Sequence, residues 1–380
     1  MPEWVKSLGL PPEAMAAIDL YWKPVWEALQ DELKLLPALP RRAPVTAPPS
    51  GAEQLEFEAV EELTPGPKWQ ARFDAMWPAY RAWYLKDGAS DRPDIATCRR
   101  ALAEHMPELV PTYERLVELT GADELAARVL SLYRPPGFVV GCSQGAWTRD
   151  APVLVRNYDY PVSRLEGIVY LTAWSGRRVI GMSDCLWGLL DGINDAGLAI
   201  SLTFGGRRDV GDGFGIPLVV RYVLETCDTV DQARDALARI PVHAAQNLTL
   251  LDRSGAFLTA YVGPGRPPAF PAVAATTNHQ GKVDWPEYAR AIRTVERERR
   301  VLELLDDPAL TREAFIAAFL EPPLHNTEYL RGFGTTYTAA YHPAEGRAEY
   351  RWPGFAWEQS FDRFREGEHT RVFAEKPQAA

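Results

Sequence analysis

The sequence Phe138-Val139-Val140-Gly141-Cys142-Ser143 places a glycine and a cysteine at the end of an apolar run, far from either terminus of the 380-residue chain. Glycine leaves the carbonyl group in front of the cysteine sterically accessible. If the peptide bond between Gly141 and Cys142 is cut, Cys142 becomes the first residue of a new chain. Its freed α-amine titrates at about 7.7 to 8.0 and can accept the thiol proton at neutral pH. A cut at this bond would therefore give a chain with an N-terminal cysteine nucleophile that carries its own base.

The two sides of Cys142 differ in pattern. Up to about residue 135, apolar residues recur at intervals of three and four, which predicts helices over residues 15–39, 53–63, 69–86, 93–105 and 107–131. The prolines between residues 40 and 49 cannot continue a helix and predict an exposed connector. We therefore divide the chain into a helical N-terminal segment, residues 1–141, and a catalytic domain, residues 142–380.

After residue 136, short β-rich runs alternate with turn residues. Strands are predicted over residues 153–155, 168–171, 178–180, 198–202, 248–251, 256–260 and 335–339. Two helix pairs interrupt them, over residues 216–227 and 231–240 and over residues 288–305 and 311–320. This order predicts an α+β fold in which two antiparallel sheets are sandwiched between helix layers.

The composition argues against several classes of protein. A net charge of -10 and a pI near 5.3 disfavour a nucleic-acid partner, because phosphate binding requires a concentrated basic surface. The arginines between residues 290 and 300 are interrupted by Glu296 and Glu298, which predicts that most of the cluster is a solvated helix face. No run approaches the roughly 18 apolar residues of a membrane span, and no signal-peptide pattern is present, so a cytoplasmic protein is expected.

The cysteines and histidines do not follow a metal-binding pattern. The 4 cysteines form no CxxC pair, and the 6 histidines are scattered without ligand spacing. We therefore expect neither a metal nor another cofactor.

Polar side chains near the ends of predicted strands supply candidate catalytic groups. Arg156 and Asp159 lie three residues apart at the end of a strand, where a charged pair must be satisfied by its members or by a ligand. Asn194 and Asn278 occupy similar positions, and their amides could donate to a developing oxyanion. The same residues also allow structural roles, Arg156 and Asp159 as an ion pair and Asn194 as an ordinary turn residue.

Taken in order, these motifs resemble the N-terminal-nucleophile (Ntn) hydrolases. Within them the chain looks most like the acyl-coenzyme A:6-aminopenicillanate acyltransferase-like group, relatives of the choloylglycine hydrolases and acid-ceramidase-type amidases. The resemblance extends from about Glu108 to about Leu305. It is carried by Gly141-Cys142, Arg156-Asn157-Tyr158-Asp159, Asn194-Asp195-Ala196-Gly197-Leu198-Ala199, Thr277-Asn278-His279 and Thr294-Val295-Glu296-Arg297. It implies a four-layer αββα fold and autocatalytic cleavage between Gly141 and Cys142.

The resemblance also implies a role for each motif. The catalytic set that it implies is Cys142, Arg156, Asp159, Asn194, Asn278 and Arg297. The cysteine would be the nucleophile, its amine the base, and the first arginine and the aspartate would orient them. The two asparagines would serve the oxyanion and the substrate. Arg297 comes from a looser match, and Arg293 or Arg300 could take its place.

The implied reaction is transfer of the acyl group of a small amide or thioester to water or to an amine, through an acyl-enzyme on Cys142. The processed protein would be an α/β heterodimer, and a homo-oligomer is also open. Arg207 and Arg208 are expected to border the substrate pocket, where either could meet an anionic group.

Two other interpretations remain open. A papain-like thiol hydrolase would use Cys142 together with His279 and an asparagine, in an uncleaved chain. A non-catalytic adaptor would instead bury Cys142 as an inert hydrophobe.

Overall fold

The computed structural model of the chain describes residues 38–40, 48–88, 91–137, 139–329 and 333–374. Most of the helix predicted over residues 15–39 and most of the proline connector lie outside these described residues.

Two β-sheets face each other at the centre of the molecule. The first contains β1 (Glu53–Glu61), β4 (Ile168–Thr172), β5 (Val179–Asp184), β6 (Gly188–Asn194), β7 (Leu198–Phe204), β8 (Gln246–Asp252), β9 (Phe257–Val262) and β15 (Gly367–Phe373). The second contains β2 (Gly141–Trp147), β3 (Val153–Asp159), β10 (Ala275–Thr276), β11 (Thr327–Glu328), β12 (Phe333–His342), β13 (Arg347–Trp352) and β14 (Phe355–Ser360). The strand orders are β15-β1-β4-β5-β6-β7-β8-β9 and β10-β2-β3-β12-β13-β14, with β11 paired to β12.

Helices cover the outer faces of both sheets. The N-terminal segment contains α1 (Pro67–Tyr84), α2 (Ile95–His105), α3 (Val110–Leu119) and α4 (Glu124–Leu130). Of the later helices, α5 (Ile216–Thr226) and α6 (Val230–Arg239) pack on the first sheet, and α8 (Thr294–Asp306) packs on the second. Next to α8 in sequence lie α7 (Pro286–Ala291) and α9 (Arg312–Ala318). These layers confirm the predicted α+β architecture, and each of the predicted strands is present.

The helix predicted over residues 53–63 is wrong, because this segment forms strand β1. Its buried side chains, Leu55, Phe57 and Ala59, alternate with more exposed ones, which is the period of a strand and not of a helix. β1 pairs in antiparallel fashion with β15 and in parallel fashion with β4. The segment in front of Cys142 therefore contributes a strand to the first sheet, and that sheet is mixed where an antiparallel one was expected.

The single helix predicted over residues 288–305 is also wrong in one respect. Arg293 adopts a left-handed backbone conformation, with φ of 53°, and separates α7 from α8. The break starts a new helix at Thr294, and Arg297 on its first turn is buried against the second sheet. No helix in the described part of the chain is long and apolar enough to cross a membrane.

Candidate active site

The candidate nucleophile lies at the start of β2, in the middle of the sandwich. β2 pairs with β3, so that Cys142 lies opposite Tyr158 and Gln144 lies opposite Arg156. Residues two apart in a strand share a face, and directly opposed residues share it too. Cys142 and Arg156 therefore lie on the same face of the second sheet, and both are completely buried.

The thiol of Cys142 is paired with a guanidinium group. Arg156 Nη2 donates a hydrogen bond to Cys142 Sγ at 3.3 Å. Burial raises the pKa of the Cys142 thiol to about 11, although the positive charge of Arg156 opposes this rise. The thiol is therefore protonated at neutral pH while Cys142 remains joined to Gly141, and its proton must be transferred when the sulfur attacks.

A second ion pair lies beside Cys142. Arg297 Nη1 donates to Asp159 Oδ2 at 3.0 Å and to Ser143 Oγ at 2.9 Å. Burial raises the pKa of Asp159, and the charge of Arg297 counteracts it. The hydroxyl of Thr335 donates to Asp159 Oδ1 at 2.7 Å. Of the three arginines considered for this position, the structure places Arg297 in contact with the site.

Asn278 brackets the bond that is expected to be cut. Its Oδ1 accepts hydrogen bonds from the backbone nitrogen of Cys142 and from Arg297 Nη2, both at 2.9 Å. Its Nδ2 donates to the carbonyl oxygen of Val140 at 3.2 Å. One amide group thus holds the residues on both sides of Gly141.

A glycine allows Asn278 to approach so closely. Gly206 has a φ of 70°, and a Cβ atom added to it would lie 2.3 Å from the carbonyl oxygen of Asn278. A side chain at this position would push the two backbones apart. The turn after β7 therefore fixes the place of Asn278 beside Cys142.

The structure does not bring Asn194 to this group. Asn194 Nδ2 donates to the carbonyl oxygens of Leu224 at 2.9 Å and Cys227 at 2.6 Å. Its Oδ1 accepts from the backbone nitrogen of Leu198 at 2.9 Å. These contacts tie the turn between β6 and β7 to the C-terminal end of α5, and they support the turn interpretation of Asn194.

Asp191 is a site residue that the sequence reasoning missed. It is completely buried on β6, and Arg156 Nη1 donates to its Oδ2. A carboxylate directly after the apolar pair Leu189-Leu190 does carry a signal, because a buried acid needs a cationic or hydrogen-bonding partner.

The imidazole ring of His279 contacts residues other than Cys142. Its Nε2 lies 3.1 Å from Glu298 Oε2, and its Nδ1 lies 3.1 Å from Thr294 Oγ1. Both ring nitrogens are therefore engaged on the α8 side of the strand, whereas Asn278 faces Cys142.

A surface cavity of about 520 Å³ lies near the site, lined by residues 207–209 and 284–287. Arg207 is held by Asp209 and Asp284, at 2.9 and 2.8 Å. Arg208 instead lies over the ring of Trp285, at 4.0 Å from its centroid. Trp285 stacks on Tyr288, whose hydroxyl donates to the carbonyl oxygen of Val140. Two stacked rings thus separate the cavity from the residue before Gly141.

An αββα sandwich with a cysteine at the head of an inner strand is the architecture expected of the Ntn hydrolases. The chain matches the family described as acyl-coenzyme A:6-aminopenicillanic acid acyl-transferase over residues 147–357, more than half of its length, and it belongs to that family. The match begins shortly after Cys142 and includes Arg156, Asp159, Asn278 and Arg297.

Several solved structures align with part of the chain. A variant of conjugated bile acid hydrolase from Clostridium perfringens aligns with a TM-score of 0.42 and 12% identity, covering 61% of this chain and 96% of that chain. For penicillin V acylase from Agrobacterium tumefaciens the values are 0.41 and 13%, with 58% and 87% covered. For the Caenorhabditis elegans N-acylethanolamine-hydrolyzing acid amidase ortholog they are 0.40 and 14%, with 60% and 98% covered. No curated protein sequence matches the chain.

Proposed function

We propose that this protein is a self-processing cysteine Ntn hydrolase or acyltransferase. The observation that carries the proposal is the setting of Cys142, whose thiol accepts a hydrogen bond from Arg156 while Asn278 holds Val140 and the Cys142 nitrogen. An inert core cysteine needs neither a guanidinium group at its sulfur nor an amide that spans the preceding residue. Membership of an acyl-transferase family supports the same chemistry.

The processing step is an acyl shift within the chain. Cys142 Sγ attacks the Gly141 carbonyl carbon, the C–S bond forms, the C–N bond breaks, and the thiol proton passes to the released α-amine. Water then hydrolyses the thioester, which yields a carboxylate on Gly141 and restores the thiol. Asn278 supports this step because it fixes the residues on either side of the reacting carbonyl.

In the processed protein, the free amine of Cys142 supplies the base that the continuous chain lacks. The amine takes the thiol proton, the sulfur attacks the carbonyl of a small amide or thioester, and the leaving group departs with a proton. The acyl group then passes to water or to a second amine. Once scission lets Val140 move away from Asn278, the N–H of Nδ2 that bonded to Val140 can donate to the substrate oxyanion. Asp159 holds Arg297, Arg297 holds Asn278, and the Oδ1 atom of Asn278 holds the amine.

The decisive experiment is an intact-mass spectrum of the purified protein beside the variant Cys142→Ala. We expect the wild type to split into one chain that ends at Gly141 and one that begins at Cys142, and the alanine variant to stay at 42.4 kDa. Cys227→Ala is the matched control, because it removes another buried thiol and should still split. An uncleaved wild type would refute the proposal.

One further variant separates this proposal from the papain-like alternative. His279→Ala removes the histidine that a papain-like mechanism requires, whereas in the Ntn mechanism it leaves Cys142 and its amine intact. We therefore expect His279→Ala to split like the wild type. An intact chain whose hydrolytic activity is lost in His279→Ala would favour the papain-like mechanism.

A further inference from the structure

The carboxylate of Asp191 joins the two sheets at the candidate active site. Asp191 lies on β6 of the first sheet, but its hydrogen-bonding partners lie on the second sheet. Tyr337 Oη donates to Asp191 Oδ2 at 2.5 Å, and Tyr341 Oη donates to Oδ1. Arg156 Nη1 also donates to Oδ2. Both carboxylate oxygens are thus occupied, and the group is completely buried.

The guanidinium group of Arg156 is divided between Asp191 and the nucleophile. Nη1 is bound to Asp191, and Nη2 reaches Cys142 Sγ at 3.3 Å. The guanidinium carbon lies 4.7 Å from the centre of the Tyr158 ring, which packs on the plane of the group. Because a guanidinium group is rigid and planar, fixing Nη1 also fixes the direction of Nη2.

We propose that Asp191 is a positioning residue for the chemistry of Cys142 and that it acts through Arg156. It binds Nη1 of the guanidinium group and so orients Nη2 toward the sulfur of Cys142. It also neutralises a positive charge that would be costly to bury without a partner. This inference rests on the proposed function, because the reaction that it serves is the attack by Cys142.

Tyr341 allows the role of Asp191 to be tested without removing a charge. Its hydroxyl bonds to Asp191 and lies 3.3 Å from the hydroxyl of Tyr350. Tyr341→Phe therefore loosens the anchor while Arg156 and Cys142 keep their own hydrogen bonds. Tyr350→Phe is the matched control, because it removes a buried hydroxyl one step further from Asp191.

The experiment follows scission between Gly141 and Cys142 over time in the freshly synthesised full chain, for Asp191→Asn, Tyr341→Phe and Tyr350→Phe. Each is made in the wild type and in an Arg156→Lys background, in which the two-sided guanidinium contact is absent. In the wild-type background we expect scission to slow about 10-fold for Asp191→Asn and about 3-fold for Tyr341→Phe, with no change for Tyr350→Phe. In the Arg156→Lys background we expect the first two effects to fall below about 2-fold, since residues that act through one partner are not additive.

The outcomes separate this inference from the proposed function. If Asp191→Asn slows scission equally in both backgrounds, or if Tyr350→Phe slows it as much as Tyr341→Phe, Asp191 is structural and the inference fails. If the wild type does not split at all, the proposed function itself fails. Should Asp191→Asn not fold, as judged by circular dichroism, the comparison of the two tyrosine variants still decides the question.

Discussion

At the scale of single residues, the side-chain amide of Asn278 both accepts and donates a hydrogen bond beside Gly141. Its oxygen accepts the N–H of Cys142, and its nitrogen donates to the carbonyl oxygen of Val140. In the proposed reaction, the first contact fixes the group that becomes the base, and the second fixes the acyl side of the bond to be cut. Chemistry at Cys142 should therefore depend on the donor half of this amide as well as on the acceptor half.

The variant Asn278→Asp separates the two halves. Aspartate can still accept from the Cys142 nitrogen but can no longer donate to the carbonyl oxygen of Val140. The Gly141 carbonyl is then no longer held against the sulfur, so we expect scission to slow about 100-fold, as a misplaced reacting group can. Asn157→Asp is the matched control, because the Asn157 amide donates to the carbonyl oxygens of Phe319 and Leu324 and not to the scissile segment. Both variants bury an added charge. Equal scission rates for the two would contradict a special role for Asn278.

The ionisation of the Cys142 thiol gives a second prediction at this scale. Burial raises the pKa of the Cys142 thiol to about 11 in the continuous chain, whereas a free α-amine titrates at about 7.7 to 8.0. Alkylation requires the thiolate, so labelling of the uncleaved chain should be slight at neutral pH and should rise with pH toward about 11.

In the cleaved chain, alkylation of Cys142 should instead have its midpoint at about pH 8, where the free amine becomes a base. A pulse of iodoacetamide on freshly synthesised protein, followed by separation of cleaved and uncleaved species, measures both. If the two species label alike at neutral pH, the amine does not activate the thiol.

At the scale of elements, strand β1 shows both what a sequence pattern can reveal and how it can be misread. Residues 53–63 were expected to be helical with the rest of the N-terminal segment, yet Leu55, Phe57 and Ala59 recur at intervals of two and line one buried face. That signal was present in the sequence. The pairing of β1 with β4 and β15, which are distant in the chain, was not.

Substitution of Phe57 tests how much β1 contributes to the stability of the sandwich. The completely buried ring of Phe57 lies 4.7 Å from the ring of Trp352 on the second sheet and 6.5 Å from that of Phe373 on β15. Phe57→Ala should lower the free energy of unfolding by about 3 to 5 kcal/mol because it leaves a cavity between the sheets. Urea unfolding in the uncleaved Cys142→Ala background measures this change.

Leu63→Ala is the control for Phe57→Ala, because Leu63 follows β1 and is 44% exposed. It should change the free energy of unfolding by no more than about 0.5 kcal/mol. If Phe57→Ala is as mild as this control, β1 is not an integral strand of the first sheet.

At the scale of the whole molecule, the layered fold and most of the candidate site follow from the sequence, but the contacts between the sheets do not. Strand and helix patterns are local, so they predict the sandwich. Cys142, Arg156 and Asp159 lie on neighbouring strands joined by a short turn, and their proximity follows from that hairpin. Asp191 lies on the other sheet, and nothing in its local sequence indicates that Arg156 is its partner.

The same long-range contacts predict that the two products of scission stay together. The N-terminal segment contributes β1 to the interior of the first sheet. Side chains of α1 also form hydrogen bonds with the turn between β5 and β6. Trp69 Nε1 donates to the carbonyl oxygen of Leu186 at 2.9 Å, and Tyr80 Oη donates to Glu166 at 2.5 Å. Loss of the N-terminal segment would expose these buried groups. It would also remove β1 from between β15 and β4.

We therefore expect the cleaved protein to elute from a size-exclusion column as one species that contains both chains, at the position of the uncleaved Cys142→Ala variant. In strong denaturant the same sample should separate into two peaks, because the covalent link is gone and only packing holds the chains. The N-terminal segment eluting alone under native conditions would show it to be a dissociable leader. In that case β1 would have to leave a sheet in which it is hydrogen-bonded along both edges, and the first sheet would be left with an open edge at β4.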